Sequence, residues 1–463
     1  MLKTKEPKGI TLISLVITII ILLILALVAI SLAVDSNGLF SKAGDAANSW
    51  NTSVAEEEES IQDMLDIADE MSLTLKPMVT KWNIAAGDTV EISLYSEQDF
   101  MGNALVDNTD VTINWGDGTE EHYTSSNLTN GKASHTYTDA NSNTTVTITG
   151  KCNAIGVVND AKLISIEEWG YTETTVYGFM GCTELSSIAS PEKYTFKNVT
   201  SFQEAFVGCS SLTSIPDNMF ANCTNVTSFE NTFGGCYRLT SIGDYAFANC
   251  TSVTSFRQMF VGCSLTSIGD YAFANCAALE DVTYMFGECP ITSIGKHAFD
   301  GCISVEDFAT LFGEPSYSIA KLESQYTTLQ CIDKSIQSSY TIEPVSGIAV
   351  SERNMTNLLT IGDYAFANCT SAKNFDGLFA DCVNLESIPE HLFENTPNVA
   401  SFKGTFTGCT SLTGNALPLW TRVKTDTTTY KGVPDGYNCY KGCTGLTNYG
   451  AIPDYWKNAP SQG

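Results

Sequence analysis

"LTSIGDYAFANC" runs from Leu239 to Cys250 and returns unchanged from Leu265 to Cys276. Close copies stand at Ile291–Cys302 ("ITSIGKHAFDGC") and Leu358–Cys369 ("LLTIGDYAFANC"). A sister phrase fills the gaps: "VTSFENTFGGC" (Val226–Cys236), "VTSFRQMFVGC" (Val253–Cys263) and "VASFKGTFTGC" (Val399–Cys409). Working outward, anchor phenylalanines fall at Phe206, Phe220, Phe233, Phe247, Phe260, Phe273, Phe286, Phe299 and Phe312, with gaps of 13 or 14 residues. A half-unit of 13 is too short for one coil, so the full unit is 26 or 27 residues, a period that belongs to stacked solenoids. "LTSI" and "VTSF" read as short strands, and "DYAFANC" and "QMFVGC" as helical or tight turns. No unit can bury its Phe and Leu alone, so neighbours must stack to make one core.

The repeats, from about Cys182 to Cys409, resemble the BspA-like leucine-rich repeats of bacterial surface proteins and adhesins. The same phase explains most of the 16 cysteines. Cys209, Cys223, Cys236, Cys250, Cys263, Cys276, Cys289, Cys302, Cys369 and Cys382 each lie three residues after an anchor. Pro315 and Thr396 replace cysteine at that phase, which argues for buried free thiols rather than required disulfides or metal ligands. Adjacent coils still bring thiols within disulfide reach, so oxidation stays open. No paired C-x-x-C knuckles suggest zinc. Cys439 and Cys443 read as leaving the phase, and a local disulfide is expected between them. Residues 313–357, with Cys331, interrupt the array, either as a loop on a functional face or as drift. Residues 415–463, with Trp456, read as a C-terminal cap; Lys151 to Tyr177, with Trp169, read as the cap at the other end.

Ahead of the array, residues 73–150 alternate in β fashion: "TVEISLY", "DVTINWGDGTEEHY" and "TTVTITG". Asp117-Gly118 is a tight hairpin turn, and Ile113, Trp115, Val146 and Ile148 form the expected inner face. "INWGDGT", "SHTY" (Ser134–Tyr137) and "TVTITG" (Thr145–Gly150) resemble a PKD-like module, which implies an immunoglobulin-like spacer. No spaced set of acids accompanies Asp117, so calcium is not expected.

The first residues have a third character. Ile10 to Val34 carries no charge and has the length of a membrane-spanning helix, while Lys3, Lys5 and Lys8 precede it. The junction Lys8-Gly9-Ile10 resembles a type IV pilin-like signal, which implies cleavage by a prepilin peptidase after Gly9, methylation at Ile10 and other pilin-like subunits as partners. Ile10 and Ser14 stand where that family has Phe and Glu. The alternative is an uncleaved single-span anchor. Beyond it, to residue 72, the chain reads as an amphipathic helix, with Glu56 to Glu59 on a solvated face.

Chemistry is sparse. The net charge is −28, with 24 basic against 52 acidic residues, which disfavours nucleic acid as a partner. Four histidines, His122, His135, His297 and His391, limit general-base and zinc chemistry. His297 and His391 read as solvated residues in repeat turns. There is no nucleophile–base–acid signature and no phosphate-cradling loop.

The expected architecture is therefore α+β and multidomain. It comprises a leader (1–9), a long membrane or pilin-like helix with its continuation (10–72), an immunoglobulin-like sandwich (73–150) and a leucine-rich solenoid with helical turns (151–463). The expected protein is a non-enzymatic adhesin, without cofactor or metal. It is expected to be anchored on the surface of a Gram-positive bacterium and to bind an extracellular protein or glycan. The residues between anchors, "ENT", "RQM" and "KGT", are its expected variable surface. The alternative is a minor pilin whose head decorates a filament.

Overall fold

The computed structural model describes residues 76–94, 108–170, 176–192, 195–313, 357–422 and 434–458. These belong to one compact unit, Asp69–Gly463. The expected leader and N-terminal helix, with Gly9, Ile10 and Ser14, lie outside the described residues.

The α+β expectation is overturned. The described residues form strands, isolated bridges, turns and two short 3-10 helices (Leu419–Thr421 and Tyr449–Ala451), and their single α-helix, α1 (Asp454–Lys457), has four residues. Among the described residues no helix is long and apolar enough to cross a membrane.

Strands β1 (Met78–Ile84), β2 (Thr89–Ser93), β3 (Asp110–Asn114), β4 (Glu120–Thr124), β5 (Lys132–Thr136) and β6 (Asn141–Lys151) open the fold, followed by β7 (Ala154–Gly156), β8 (Leu163–Glu168), β9 (Val176–Gly178) and β10 (Ser187–Ile188). They form two sheets, ordered β10-β8-β1-β6-β3-β4 and β5-β2-β7-β9. Period-2 alternation sends Val111, Ile113, Val146 and Ile148 inward, where with Trp82 and Trp115 they are essentially without exposure. Pairing here is antiparallel until the sheets meet the repeats: β10 joins β8 and β9 joins β7 in parallel. Strands beyond residue 150 thus belong to both sheets, and β8 and β7 act as the first rungs on which the array stacks. Trp169 closes this junction, edge-on to Phe179, Phe196 and Phe206, with its Nε1–H donating to Ala189 O at 2.6 Å.

The array follows. Strands β11 (Ser214–Ile215), β12 (Ser241–Ile242), β13 (Ser267–Ile268), β14 (Ser293–Ile294) and β15 (Thr360–Ile361) make one parallel ladder, a rung per coil. The sister phrases make a second ladder of single bridges, Ser201–Ser228–Ser255–Asp281 and Asp307–Asn374–Ser401–Asp435. Between them the phenylalanines stack in columns. One runs Phe179, Phe206, Phe233, Phe260, Phe286 and Phe312, with centroids 5.2–5.6 Å apart. A second runs Phe220, Phe247, Phe273, Phe299 and Phe366 at 5.0–5.4 Å. Rings of the two columns meet edge to face, so each column locks the other.

The connecting turns are not helical, for a local reason. Most carry two left-handed residues four apart, such as Tyr245 (φ 55) with Asn249 (φ 59), and Gln258 (φ 55) with Gly262 (φ 74). A right-handed helix cannot pass through either. The backbone donors turn outward to the next coil instead: Tyr245 N–H to Asp270 O (2.9 Å), Phe247 N–H to Ala272 O (2.7 Å) and Asn249 N–H to Ala274 O (2.8 Å).

The register survives the insertion. β14 pairs β15 and Phe299 stacks on Phe366 as if nothing intervened. At the far end Trp456 of α1 lies so close to Gly436 that a Cβ there would sit 2.1 Å from its ring, and Arg422 donates to Thr396 Oγ1 and Phe393 O, both at 2.8 Å.

Candidate recognition face

The repeat dictates which side chains reach solvent. The triplets expected to vary on the surface are mostly interior: Thr232, Met259 and Thr405 have no exposure, and Asn231 and Gln258 are buried. Glu230, Arg257 and Lys403 alone reach outward from these triplets. The coil-to-coil pairing turns their neighbours inward.

The cysteines are interior too. Most ladder thiols donate to the carbonyl of an anchor one coil back, among them Cys236 to Phe206 O (3.2 Å), Cys250 to Phe220 O (3.1 Å), Cys276 to Phe247 O (3.3 Å) and Cys369 to Phe299 O (3.2 Å). Burial pushes the Cys236 thiol up to about 12, which disfavours the reactive thiolate. Cys439 and Cys443 are likewise separate buried thiols, in place of the expected disulfide. The reason is phase. Tyr440 takes the anchor position, stacked on Phe406 at 5.6 Å, so Cys443 three residues later is a ladder thiol and donates to Phe406 O at 3.0 Å. Cys439 fills the small buried position before the anchor, as Ala246 does before Phe247.

What faces outward beside the β11–β15 ladder is a column of stacked rings: Tyr245, Tyr271, His297, Tyr364 and His391. Successive centroids are 4.8, 4.5, 4.8 and 4.6 Å apart, and no pair is tilted by more than 7°. His297 and His391 are therefore stacked rather than freely solvated. His297 Nδ1 lies 2.6 Å from Asp300 Oδ2, and His391 Nδ1 lies 2.9 Å from Asp363 Oδ2. The Asp363 hydrogen bond holds the His391 imidazole above its ordinary value. Burial pushes the Asp363 carboxyl up, but the His391 contacts outweigh it and leave the group below the usual range.

Two polar rows run beside the rings. Asp217 Oδ1 accepts from Asp244 N–H (2.8 Å), Asp244 Oδ1 from Asp270 N–H (2.7 Å) and Asp270 Oδ1 from Lys296 N–H (2.7 Å). On the other side, Asn249 Nδ2 donates to Asn222 Oδ1 (3.2 Å), Asn275 to Asn249 (3.1 Å) and Asn395 to Asn368 (2.7 Å). Sequence reasoning missed this face, although its signal is visible: an aromatic or His recurs directly before the small or Leu residue that precedes the anchor, as in "DYAF", "KHAF" and "EHLF".

Elsewhere a cleft of about 200 Å³ lies among Thr89, Glu91, Ser93, Lys132 and Val158 to Asp160, its charges met internally by Lys132–Glu91 (3.5 Å) and Lys162–Asp160 (2.9 Å). In the hairpin, Asp117 accepts from Thr119 and lies 2.7 Å from His135 Nε2. Burial raises its carboxyl, but these partners bring it down to about 2. Among the described residues no group of three or more His, Cys, Asp or Glu is placed to hold a metal.

Three solved structures are similar to parts of the chain. A leucine rich repeat protein of T. pallidum is 17% identical, with 50% of this chain and 84% of that one covered at a TM-score of 0.16. A leucine-rich repeat protein from Bacteroides ovatus is 19% identical, covering 61% and 95% at 0.12. A leucine rich cell surface protein from Faecalibacterium prausnitzii is 17% identical, covering 74% and 94% at 0.17. No curated protein matches. The profile of the BspA type leucine rich repeat region matches in six copies, over residues 134–227, 159–257, 190–317 and 347–428, more than half of the chain. With that match laid over the two ladders and the stacked phenylalanine columns, the chain belongs to the BspA type leucine rich repeat family.

Proposed function

We propose that this protein is a non-enzymatic recognition protein, an adhesin displayed at a bacterial surface, that binds an extracellular protein or glycan through its solenoid. The observation that carries this reading is the aromatic column with its flanking carboxylate and amide rows, held in register over five rings by buried columns beneath. A face whose side chains repeat at the coil spacing offers many weak contacts to an extended partner, and its rigidity lowers the ordering cost of each. Family membership agrees with a binding role and names no ligand. The residues before Met78 carry the attachment. Processing by a prepilin peptidase between Gly9 and Ile10 would bring the head to the cell surface, and a PKD-like role for β1–β6 would space the array from it.

The Lys8-Gly9-Ile10 junction favours a second reading, a minor pilin-like subunit whose head decorates a filament in company with other such subunits. Mass spectrometry of the N-terminal peptide from the native membrane separates them. A methylated start at Ile10, with the protein found in sheared filaments, supports the pilin reading. A start at Met1 or Leu2, with saturable ligand binding by the chain, supports the adhesin alone.

A further inference from the structure

The aromatic column has an open end. Tyr245 stacks on Tyr271 on one side, at 4.8 Å, and has no second ring partner among the described residues. In the preceding coil the same turn position holds Asn218. Its N–H donates to Asp244 O (3.0 Å) as Tyr245 N–H donates to Asp270 O (2.9 Å), and the two residues share φ values of 56 and 55. The backbones are equivalent, so the fold does not require a ring at this turn. A left-handed conformation suits Asn and is costly for an aromatic residue. The short Asn218 side chain cannot cover a phenol ring, and Tyr245 keeps 42% exposure.

Two exposed carboxylates belong to this end of the column: Asp244, next to Tyr245 in the chain, and Asp217, next to Asn218 at the vacant rung. Asp217 and Asp244 each accept at Oδ1 from a backbone N–H of the next coil, and among the described residues nothing donates to the second oxygen of either. An aromatic face beside two half-free carboxylates recognises a cation, and a planar one best. A guanidinium stacks on a ring and offers paired donors to carboxylates, whereas an ammonium gives charge without a plane. A neutral sugar can also stack on a ring and donate hydroxyls to carboxylates, but it gains nothing from the long-range field of the acidic surface. The net charge of −28 also draws a basic partner toward the surface.

We propose that an arginine side chain of a partner protein completes the column as its missing rung, lying on Tyr245 within reach of the Asp217 and Asp244 row. This rests on reading the solenoid as a recognition surface. The test titrates the full chain with a short arginine peptide and with its lysine and citrulline counterparts, by calorimetry at fixed salt. Arginine binds tightest and citrulline weakest. Tyr245→Asn removes the platform and Asn218→Tyr fills the vacant rung from within. Each weakens the arginine peptide by roughly two- to five-fold, the range of an exposed cation–π contact. Circular dichroism stays unchanged, because Asn and Tyr both already occupy this turn. Equal affinity for arginine and lysine peptides in all three chains overturns the proposal and leaves diffuse attraction to an acidic surface. Indifference to all three peptides, with saturable binding of a surface glycan or protein, overturns this site and leaves the recognition reading standing. Indifference to every ligand offered sinks both.

Discussion

At the scale of the residue, the array shows how one position does different work according to what lies beside it. Glu204 sits at the left-handed turn position that Asn231 and Gln258 fill in the next coils, and its Oε2 is buried without a hydrogen-bond partner. Burial, reinforced by Glu230, raises its carboxyl from 4.5 to about 7. The folded value is above the unfolded one, so the contribution to stability is full below about 4.5 and lost as pH rises through 7. Glu204→Gln is expected to stabilise the protein at pH 8 by on the order of 2 kcal/mol and to change little at pH 4, read from chemical denaturation at both pH values. Much at this scale was legible: anchor phenylalanines and ladder cysteines declare themselves by phase. Cys443 hid because its anchor is Tyr440, displaced from Phe406 by the residues of the cap. The stacked Tyr and His residues hid because their meaning is in the neighbouring coil, a whole repeat away in sequence.

At the scale of the element, short strands and turns share the work of one rung. Two-residue strands such as β12 and β13 would be worthless alone; they persist because the turn that follows donates its own backbone to the next coil. The expectation of helical turns failed here. "DYAFANC" contains good helix formers, but Tyr245 and Asn249 both adopt the left-handed region, and tertiary pairing overrides local propensity. Glycine at the end of "LTSIG" has a different cause. A Cβ on Gly269 would lie 2.5 Å from Gly243 O, backbone against backbone, with no flexible atom to give way. Gly269→Ala is expected to part β12 from β13 and cost about 2–3 kcal/mol, comparable to severe overpacking. Hydrogen exchange at Thr266 and Ser267, whose neighbours lie in that pairing, checks the location.

At the scale of the whole molecule, the two sheets and the array are joined rung to rung, through β8–β10 and β7–β9. Residues 151–177 read as a cap of the array, but nothing in their pattern showed that β7 and β8 would also join the two preceding sheets, because pairing across that distance leaves no periodic trace. The insertion makes the opposite point. Cys369 reaches Phe299 across 70 residues where Cys302 reaches Phe273 across 29, with the same geometry. Excising the excess between Gly313 and Asn357, so that one ordinary coil remains, is expected to leave the melting temperature within about 3 °C, since the closure entropy of a connection grows only slowly with its length. A drop of tens of degrees in a thermal scan would show that the removed residues hold the two segments together.

The matching upper and lower edges of every rung bear on how such a chain changes over generations. A copying error that duplicates 26 or 27 residues in phase adds a storey to the building, while roof and foundation, Trp456 and β8, meet the same surfaces as before. Height is therefore heritable separately from architecture. A lineage can lengthen its reach, or add one more window to the same wall, without first passing through a chain that cannot stand.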